Sequence, residues 1–429
     1  MIYLLLLLLL FHTIVIYIFS NYQLLRPSQI YNISFVVVAI IYCCLNRQIA
    51  YRLSFETVVI IYFSSVVFAL GDIVGANLRL RIKSRNSNTI KEKSDLFILY
   101  KHIFIITGII IITTGIRVIA ISNILGTGLS ISGMLKSYAI LRKTLVAGNS
   151  LILPWWVSYI SVFILSASRI FLYLYIRDRL INNKHVGVYL IPVFFYILYL
   201  FTTTTRTDFF NFISFGLLSV CFILYNTRSH SLELTNKIFR SVIKALILIF
   251  VVFYVVGLIA NKMSNVLDAI ESYTAAAYVG LDKFLSSGYT IPPWDSKRTI
   301  QGLLSIIAKF GVSFPAVDSF LPHFWYEGKT SNIYTCLMEP IWDFGICGMF
   351  ITRFGLGFVY SRIYKAICEQ ISGRCECAAI VLISSLYPLV IASIDDQFIS
   401  YIGSYYIYQI ITNYLIMRFI VKRRPMEIK

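Results

Sequence analysis

Long apolar runs separated by short charged clusters are the feature that most constrains this chain. Of its 429 residues, 58% are hydrophobic and only 14% are charged, and the charges fall between the apolar runs. A helix of about 20 apolar residues crosses the hydrocarbon core of a bilayer. Soluble, fibrous and disordered chains lack this pattern. The sequence therefore predicts an all-α, polytopic integral membrane protein.

The apolar runs predict about eleven transmembrane helices. They lie near residues 1–20, 30–45, 55–77, 96–120, 151–176, 188–204, 209–225, 242–260, 340–360, 378–394 and 401–420. The first run lacks the basic start and the cleavage site of a signal peptide, so we interpret it as a span. The predicted division is helices 1–8 over residues 1–260, a large loop over 261–340, and helices 9–11 with a tail over 341–429.

The positive charges predict which loops face the cytoplasm. Alternate connections hold 21 Lys and Arg residues in one set and 6 in the opposite short loops, and short cytoplasmic loops collect positive charge. The asymmetry predicts a cytoplasmic carboxyl terminus, an exterior amino terminus and an exterior large loop. The net charge of +18 is thus a topological signal, and it does not indicate nucleic-acid binding.

Cysteine usage predicts neither a disulfide framework nor a metal site. The chain has eight cysteines, and none lies between Asn261 and Thr335, where an exported loop would carry a disulfide. No histidine accompanies Cys375 and Cys377, so we predict no zinc site and no other cofactor.

Two amphipathic helices are predicted in the large loop. The first begins near Asn265 and carries apolar residues at helical spacing as far as Phe284. The second runs from about Lys297 to Phe310 after the break at Pro292 and Pro293. Such helices are expected to lie along the bilayer surface.

Arg206 lies in a four-residue connection between two predicted spans, beside several threonines. At headgroup level a guanidinium matches the oxygens of a diphosphate. The alternative is an arginine that reaches the interface or pairs with Asp208.

The large loop adds cations, aromatic side chains and one histidine. Lys297, Arg298 and Lys329 supply positive charge, while Trp294, Trp325, Tyr289 and Tyr326 offer faces for stacking against sugars or anchors in the interface. His323 is a candidate acid, base or phosphate partner, or a structural hydrogen-bonding residue.

Carboxylates close to the ninth span complete the candidates. Asp343 lies just inside that span, where a carboxylate is costly unless it is paired or functional. Glu327 and Glu339 compete with it for the role of base. Arg117, Arg169 and Arg353 lie within or near the ends of spans, and we interpret Arg169 as interfacial.

Three stretches resemble Wzy-type O-antigen polymerases, which join oligosaccharide repeat units. Asn332-Ile333-Tyr334-Thr335, followed by Asp343-Phe344-Gly345, Gly348, Gly355, Gly357 and Tyr364, resembles their carboxy-terminal signature. Thr205-Arg206-Thr207 resembles the arginine turn between two of their middle spans, with threonines where a Gly-Ser pair is commoner. The stretch from Arg298 to Leu304, ahead of Gly311, resembles the segment before that signature.

The resemblance implies a glycosyltransferase of the GT-C type in the bacterial inner membrane. Its substrates would be undecaprenyl-diphosphate-linked oligosaccharides, with undecaprenyl diphosphate as leaving group and membrane lipid around it. Arg206 and Arg298, helped by Lys329, would hold the diphosphate, and Asp343, Glu327 or His323 would take the proton. Asn332, Tyr334, Trp294 and Trp325 would contact substrate. Expected partners are a Wzz-type chain-length regulator and a Wzx-type flippase.

Two other readings stay open. An O-antigen ligase would share this layout and differ in its acceptor. A flippase or transporter of lipid-linked sugars would have short loops on both sides and charges at mid-membrane.

Overall fold

The computed structural model of this chain is predominantly helical. It describes residues 1–20, 23, 25–45, 49, 51–78, 94–126, 155–181, 184–203, 206–227, 270–272, 274–294, 297–308, 310–314, 322–326, 328–371, 376–398 and 404–425. The predicted eighth span, near residues 242–260, lies outside this set, as does the predicted start of the first loop helix at Asn265.

Helices and short strands account for most of the described chain. The helices are α1 (Ile2–Phe19), α2 (Pro27–Leu45), α3 (Phe55–Asn77), α4 (Tyr100–Leu125), α5 (Trp155–Ile181), α6 (Leu190–Thr203), α7 (Arg206–Thr227), α8 (Ala275–Ser286), α9 (Gln301–Ala308), α10 (Met338–Ile371), α11 (Glu376–Ser384), α12 (Tyr387–Ile391) and α13 (Ser404–Phe419). The strands are β1 (Ser94–Ile98), β2 (Phe324–Tyr326), β3 (Lys329–Ser331) and β4 (Val421–Pro425).

Seven helices of the described chain are long and apolar enough to cross a membrane: α1–α5, α7 and α10. Two shorter apolar helical stretches cover Gly187–Thr203 and Ala379–Ile391, where the sixth and tenth spans are predicted. These helices are those of a membrane-spanning protein.

The chain forms two compact units. The first comprises Met1–Leu80, Asn265–Ala366 and Ser385–Tyr406, and the second comprises Arg81–Ser264, Ile367–Ser384 and Ile407–Lys429. Each unit is therefore assembled from segments that are distant in the sequence.

Polar side chains join α1, α2 and α3 inside the first unit. The Asn32 amide donates to the Leu9 carbonyl at 3.1 Å and to the Thr13 hydroxyl at 2.6 Å. Ser65 donates to Asn32 Oδ1 at 2.7 Å, and the Gln29 amide donates to the Thr13 carbonyl at 3.1 Å. Such bonds between helices stabilise bundles in lipid, where apolar burial alone does not drive association.

Close backbone contact joins α3 to α10. A Cβ on Gly71 would come within 2.1 Å of the Phe354 carbonyl oxygen, and one on Gly357 within 2.1 Å of the Phe68 carbonyl oxygen. Only glycine allows backbones to approach this closely at a helix crossing.

Helix α8 corrects the prediction of an amphipathic helix on the bilayer surface. Its residues from Ala275 to Asp282 are all buried, as is Phe284. The Tyr278 hydroxyl donates to the Phe35 carbonyl at 2.7 Å. The helix is held inside the first unit because it packs against α2 and α3, so its apolar positions are not a lipid-facing stripe.

Helix α9 confirms the second predicted loop helix over a shorter range. Leu304 is buried, whereas Leu303 and Ile307 are exposed and Phe310, just beyond the helix, is 83% exposed. This helix does keep an apolar face toward the surroundings, as expected of a helix at a bilayer surface.

The second unit contains α4 to α7 and the antiparallel pair of β1 and β4. Arg169 lies in the middle of α5, is only 2% exposed and donates to Asn211 Oδ1 on α7 at 2.5 Å. The interfacial interpretation of Arg169 is therefore wrong. On α4, Arg117 donates to the Tyr199 hydroxyl at 3.1 Å and to the Thr202 carbonyl at 3.3 Å.

Candidate functional site

Helix α10 is broken at Gly345, and several charged side chains of the first unit lie close to the break. Gly345 has φ 71° and ψ 177°, in the left-handed region that favours glycine. Arg353 Nη2 donates to the Cys336 carbonyl at 2.9 Å, although 17 residues of straight helix would extend about 25 Å. Residues 338–344 therefore fold back beside the start of the long segment 346–371.

The loop before α9 places two cations over this short helix. The ammonium of Lys297 lies 4.6 Å from the ring centroid of Phe344, and the guanidinium of Arg298 lies 5.1 Å from that of Trp342. Lys297 also donates to the Asp343 carbonyl. Cation–π contacts fix both side chains against neighbouring residues of one turn.

Asp343 fastens that loop to the short helix. Its Oδ2 accepts from the Thr299 backbone N–H at 2.6 Å, and the side chain is 0% exposed. Its Oδ1 is buried without a hydrogen-bond partner among the described residues. The carboxylate predicted from the sequence as a candidate base is thus enclosed by the loop that it holds.

Glu339 lies one helical turn before Asp343 on the same face of the short helix. The residue is partly exposed, but its Oε2 is buried and has no hydrogen-bond partner in the described chain. The charges that act on it electrostatically are those of Asp396, Asp395, Arg298 and Asp343. Glu339 therefore interacts electrostatically both with the loop cation Arg298 and with a second acidic pair, Asp395 and Asp396.

The second acidic pair follows α12, where the chain leaves helical structure. Asp396 Oδ2 accepts from Arg353 at 3.2 Å and its Oδ1 from the Phe398 N–H at 3.1 Å. Burial raises the pKa of Asp395 to about 6. Repulsion from Asp396 raises this pKa further, whereas the hydrogen bond from Gln397 lowers it. An ion pair and a carboxyl group that resists ionisation thus lie beside the short helix.

Arg353 connects the parts of the break. It is only 1% exposed, bonds to the Cys336 carbonyl and to Asp396, and stacks 5.0 Å from the Phe398 ring centroid. The Cys336 N–H donates to the Ala392 carbonyl at 2.8 Å. Burial raises the pKa of the Cys336 thiol to about 12, so this cysteine stays protonated.

A small hairpin, β2 paired with β3, precedes the break. His323 is exposed and Trp325 is 70% exposed, whereas Tyr334 is buried and donates from its hydroxyl to the Pro322 carbonyl at 2.8 Å. Asn332 is partly exposed. Tyr334 therefore supports the hairpin, while His323 and Trp325 are accessible to a ligand.

The other predicted site residues are placed less completely. Trp294 is 60% exposed. Lys329 begins β3 and Arg206 begins α7 in the second unit, but their side chains lie outside the described structure, as does Glu327. The structure thus brings together Arg298 and Asp343 from the predicted set, with Lys297 and Glu339 beside them.

Sequence reasoning missed Asp395 and Asp396 and the role of Arg353. Two adjacent aspartates directly after an apolar run are a signal, because a carboxylate at the edge of hydrocarbon needs a partner. An arginine within the ninth predicted span is the matching signal. Pairing the two requires the fold, since 43 positions separate Arg353 from Asp396.

The arrangement places fixed positive charge beside a partly exposed carboxylate. The positive charge can stabilise a departing anion, and the carboxylate can accept a proton. Within the described residues, no three His, Cys, Asp or Glu side chains are grouped to hold a metal ion.

The first unit and this site define a helical membrane protein with a polar break in one of its long apolar helices. No protein-family model, curated protein or solved structure matches the chain. Its function is therefore inferred from its own residues.

Proposed function

We propose that this protein is an O-antigen polymerase of the bacterial inner membrane, which joins undecaprenyl-diphosphate-linked oligosaccharide units on the periplasmic side. The observation that carries the proposal is the pair Lys297 and Arg298, held over the broken helix beside Glu339 and Asp343. Arg298 and Asp343 lie in two of the three stretches that resemble the polymerases, and Lys297 immediately precedes one of them.

The proposed reaction needs positive charge where the diphosphate leaves. The acceptor hydroxyl attacks the anomeric carbon of the donor sugar, the bond from that carbon to the diphosphate oxygen breaks, and the diphosphate carries away the electron pair. Arg298 presents a planar fork that matches phosphate oxygens, and Lys297 adds a second charge. Charges already fixed in place stabilise the leaving group without reorganisation during the reaction.

The lipid part of the substrate also suits this region. Exposed apolar side chains surround the loop cations in the sequence: Ile291, Trp294, Leu303, Ile307 and Phe310. A polyprenyl chain would remain in hydrocarbon beside such residues, while its diphosphate and sugars reach the cations. Membrane lipid and lipid-linked sugar are thus the expected ligands.

Deletion of the gene, followed by complementation, tests the proposal. We expect the deletion strain to carry lipopolysaccharide capped with one repeat unit, and the wild-type gene to restore the ladder of longer chains on a gel. Arg298→Ala should fail to restore the ladder, because loss of one transition-state donor reduces turnover by about 100-fold to 1000-fold. Arg298→Lys should restore it only in part, because the ammonium lacks the bidentate fork.

The matched control is Lys283→Ala. Lys283 is a cation of the same loop region, but it lies 5.2 Å from the ring centroid of Tyr51 and not over the broken helix. This variant should restore a normal ladder. A normal ladder from Arg298→Ala as well would remove the diphosphate role from Arg298.

A transporter of lipid-linked sugars is the second candidate, and the buried ion pair of Arg353 with Asp396 favours it. Broken helices with internal charges hold the substrates of many secondary transporters. The same deletion separates the two functions: a lost transporter leaves no exported repeat unit on the lipopolysaccharide, whereas a lost polymerase leaves one.

A further inference from the structure

We infer that Glu339 is the catalytic base of the proposed reaction and that Asp343 is a positioning residue. The inference rests on the proposed function and deepens it, because the sequence alone leaves Asp343, His323, Glu327 and Glu339 as alternatives. The two carboxylates lie four positions apart on one short helix, yet their surroundings differ.

Asp343 is enclosed, so it cannot reach an acceptor hydroxyl. It is 0% exposed, and its Oδ2 is occupied by the Thr299 N–H at 2.6 Å. The chain just before that bond carries the cations, because Lys297 and Arg298 immediately precede Thr299. Releasing Asp343 for proton transfer would release the loop that holds the proposed diphosphate ligands.

Glu339 has the accessibility that Asp343 lacks. The side chain is partly exposed, whereas its Oε2 is itself buried and accepts no hydrogen bond from the described residues. The Arg298 guanidinium acts on it electrostatically and opposes the repulsion from Asp395, Asp396 and Asp343. A partly exposed carboxylate whose charged form is favoured by the proposed diphosphate cation is suited to take the proton of the acceptor hydroxyl.

Glu339 then takes up the proton that the reaction releases. As the acceptor oxygen bonds to the anomeric carbon, its proton passes to the Glu339 carboxylate, and the diphosphate leaves as the anion held by Arg298. Protonated Glu339 returns the proton to water before the next transfer. No oxidant, reductant or metal is consumed in this step.

Paired variants of the two carboxylates test the inference in membranes from the complemented deletion strain. Glu339→Gln should lower the polymerisation rate about 100-fold to 10,000-fold, as expected for loss of a general base. Glu339→Asp should keep part of the activity. Asp343→Asn should stay within about 10-fold of wild type, because its amide oxygen still accepts from Thr299, whereas Asp343→Ala should lose most activity.

The pH profile of the polymerisation rate separates a catalytic role from a structural one. A purely structural role of Glu339 would leave the shape of that profile unchanged. The wild-type rate should fall at low pH as the base becomes protonated, and this acid limb should disappear from the residual activity of Glu339→Gln but persist in Asp343→Asn. Equal protein levels and a single symmetric peak in detergent chromatography show that each variant is folded.

The outcomes separate the inference from the proposed function. If deletion and Arg298→Ala both abolish the ladder while Glu339→Gln retains near wild-type activity, Glu339 is not the base and the polymerase proposal stands. If Asp343→Asn is as inactive as Glu339→Gln, the Asp343 carboxylate itself is required and the assignment is overturned. A normal ladder in the deletion strain removes the polymerase proposal itself.

Discussion

At the scale of single residues, Asp282 shows how a charged side chain is accommodated inside the first unit. Its carboxylate accepts from the Tyr51 hydroxyl at 2.7 Å and from the Ser54 N–H at 3.1 Å, and also from the hydroxyls of Ser54 and Thr57. Burial alone would raise the pKa of Asp282, but these hydrogen bonds outweigh it and lower the pKa. One carboxylate therefore holds the start of α3 against α8.

Replacing Asp282 with alanine should destabilise the protein by about 2 to 3 kcal/mol, because buried donors lose a charged acceptor. The folded-state pKa lies below the ordinary value of 3.8. The stabilisation is therefore fully present above about pH 4 and is lost as the pH falls through the folded-state value. Thermal unfolding in detergent should show a constant difference from wild type between pH 5 and pH 8.

Ser286→Ala on the same helix is the control for Asp282, since Ser286 is exposed and bonds only within the helix, to the Lys283 carbonyl. It should unfold as the wild type does. A similar loss of stability in both variants would show that α8 is sensitive as a whole and that the carboxylate has no special part.

The sequence identifies charged residues that lie in unusual surroundings, such as an apolar run. It does not identify residues whose role depends on a partner that is distant in the sequence. Asp343 is predicted because a carboxylate inside an apolar run is costly. That Asp343 binds a backbone N–H 44 positions away, and that Arg353 pairs with Asp396, depends on how the broken helix folds back. Neither partner can be read from spacing.

At the scale of elements, the apolar runs predict the long helices well and their interruptions poorly. The predicted spans near residues 55–77 and 209–225 fall on α3 and α7. The predicted ninth span, near residues 340–360, lies within α10, but hydropathy does not register the break at Gly345, because one glycine among apolar residues barely changes the average. The tenth is divided into α11 and α12, with Pro388 in the first turn of α12.

Gly345→Ala should destabilise the protein by about 1 to 2 kcal/mol, because an L side chain at φ 71° meets its own backbone. Space is not the cause, since the nearest atom to an added Cβ is Ile291 Cδ1 at 3.6 Å. The variant should also lose polymerising activity, because straightening α10 would separate the Cys336 carbonyl from Arg353 and so displace Glu339 from the loop cations. Thermal unfolding and the polysaccharide ladder measure the two effects.

Gly355→Ala is the matched control within the same helix. Its added Cβ would meet no atom within 4 Å, and alanine favours a helix over glycine by up to about 1 kcal/mol. It should leave stability unchanged or raise it slightly, with a normal ladder. Equal losses from the two substitutions would mean that any added methyl group disturbs α10 and that the break itself is unimportant.

At the scale of the whole molecule, each unit brings segments that are distant in the sequence together at the ends of its helices. In the first unit, Asp282 binds the start of α3, whereas Arg26 and Ser361 bind Asp72 near its other end. The 18 residues from Ser54 to Asp72 extend about 27 Å along the helix. The large loop and the basic residue Arg26 therefore lie at opposite ends of α3.

In the second unit, β1 pairs with β4 from Ser94 opposite Pro425 to Ile98 opposite Val421. The segment that follows the strongest basic cluster and the carboxy-terminal tail thus share one end, and both are predicted to be cytoplasmic. The count of positive charges predicts which side of the membrane these segments face. The packing of the helices does not give that side.

A protease site inserted after Ser287 tests directly which side of the membrane the large loop faces. Ser287 is exposed just beyond α8, so an insertion there should leave the contacts of Asp282 intact. We expect external protease to cut this site in intact spheroplasts, and to cut a second site appended to the carboxyl terminus only after the membranes are opened. Protection at Ser287 with cleavage at the tail would invert the topology. Such a result would place Lys297, Arg298 and Glu339 away from exported lipid-linked sugars, which rules out the polymerase mechanism however the carboxylates behave.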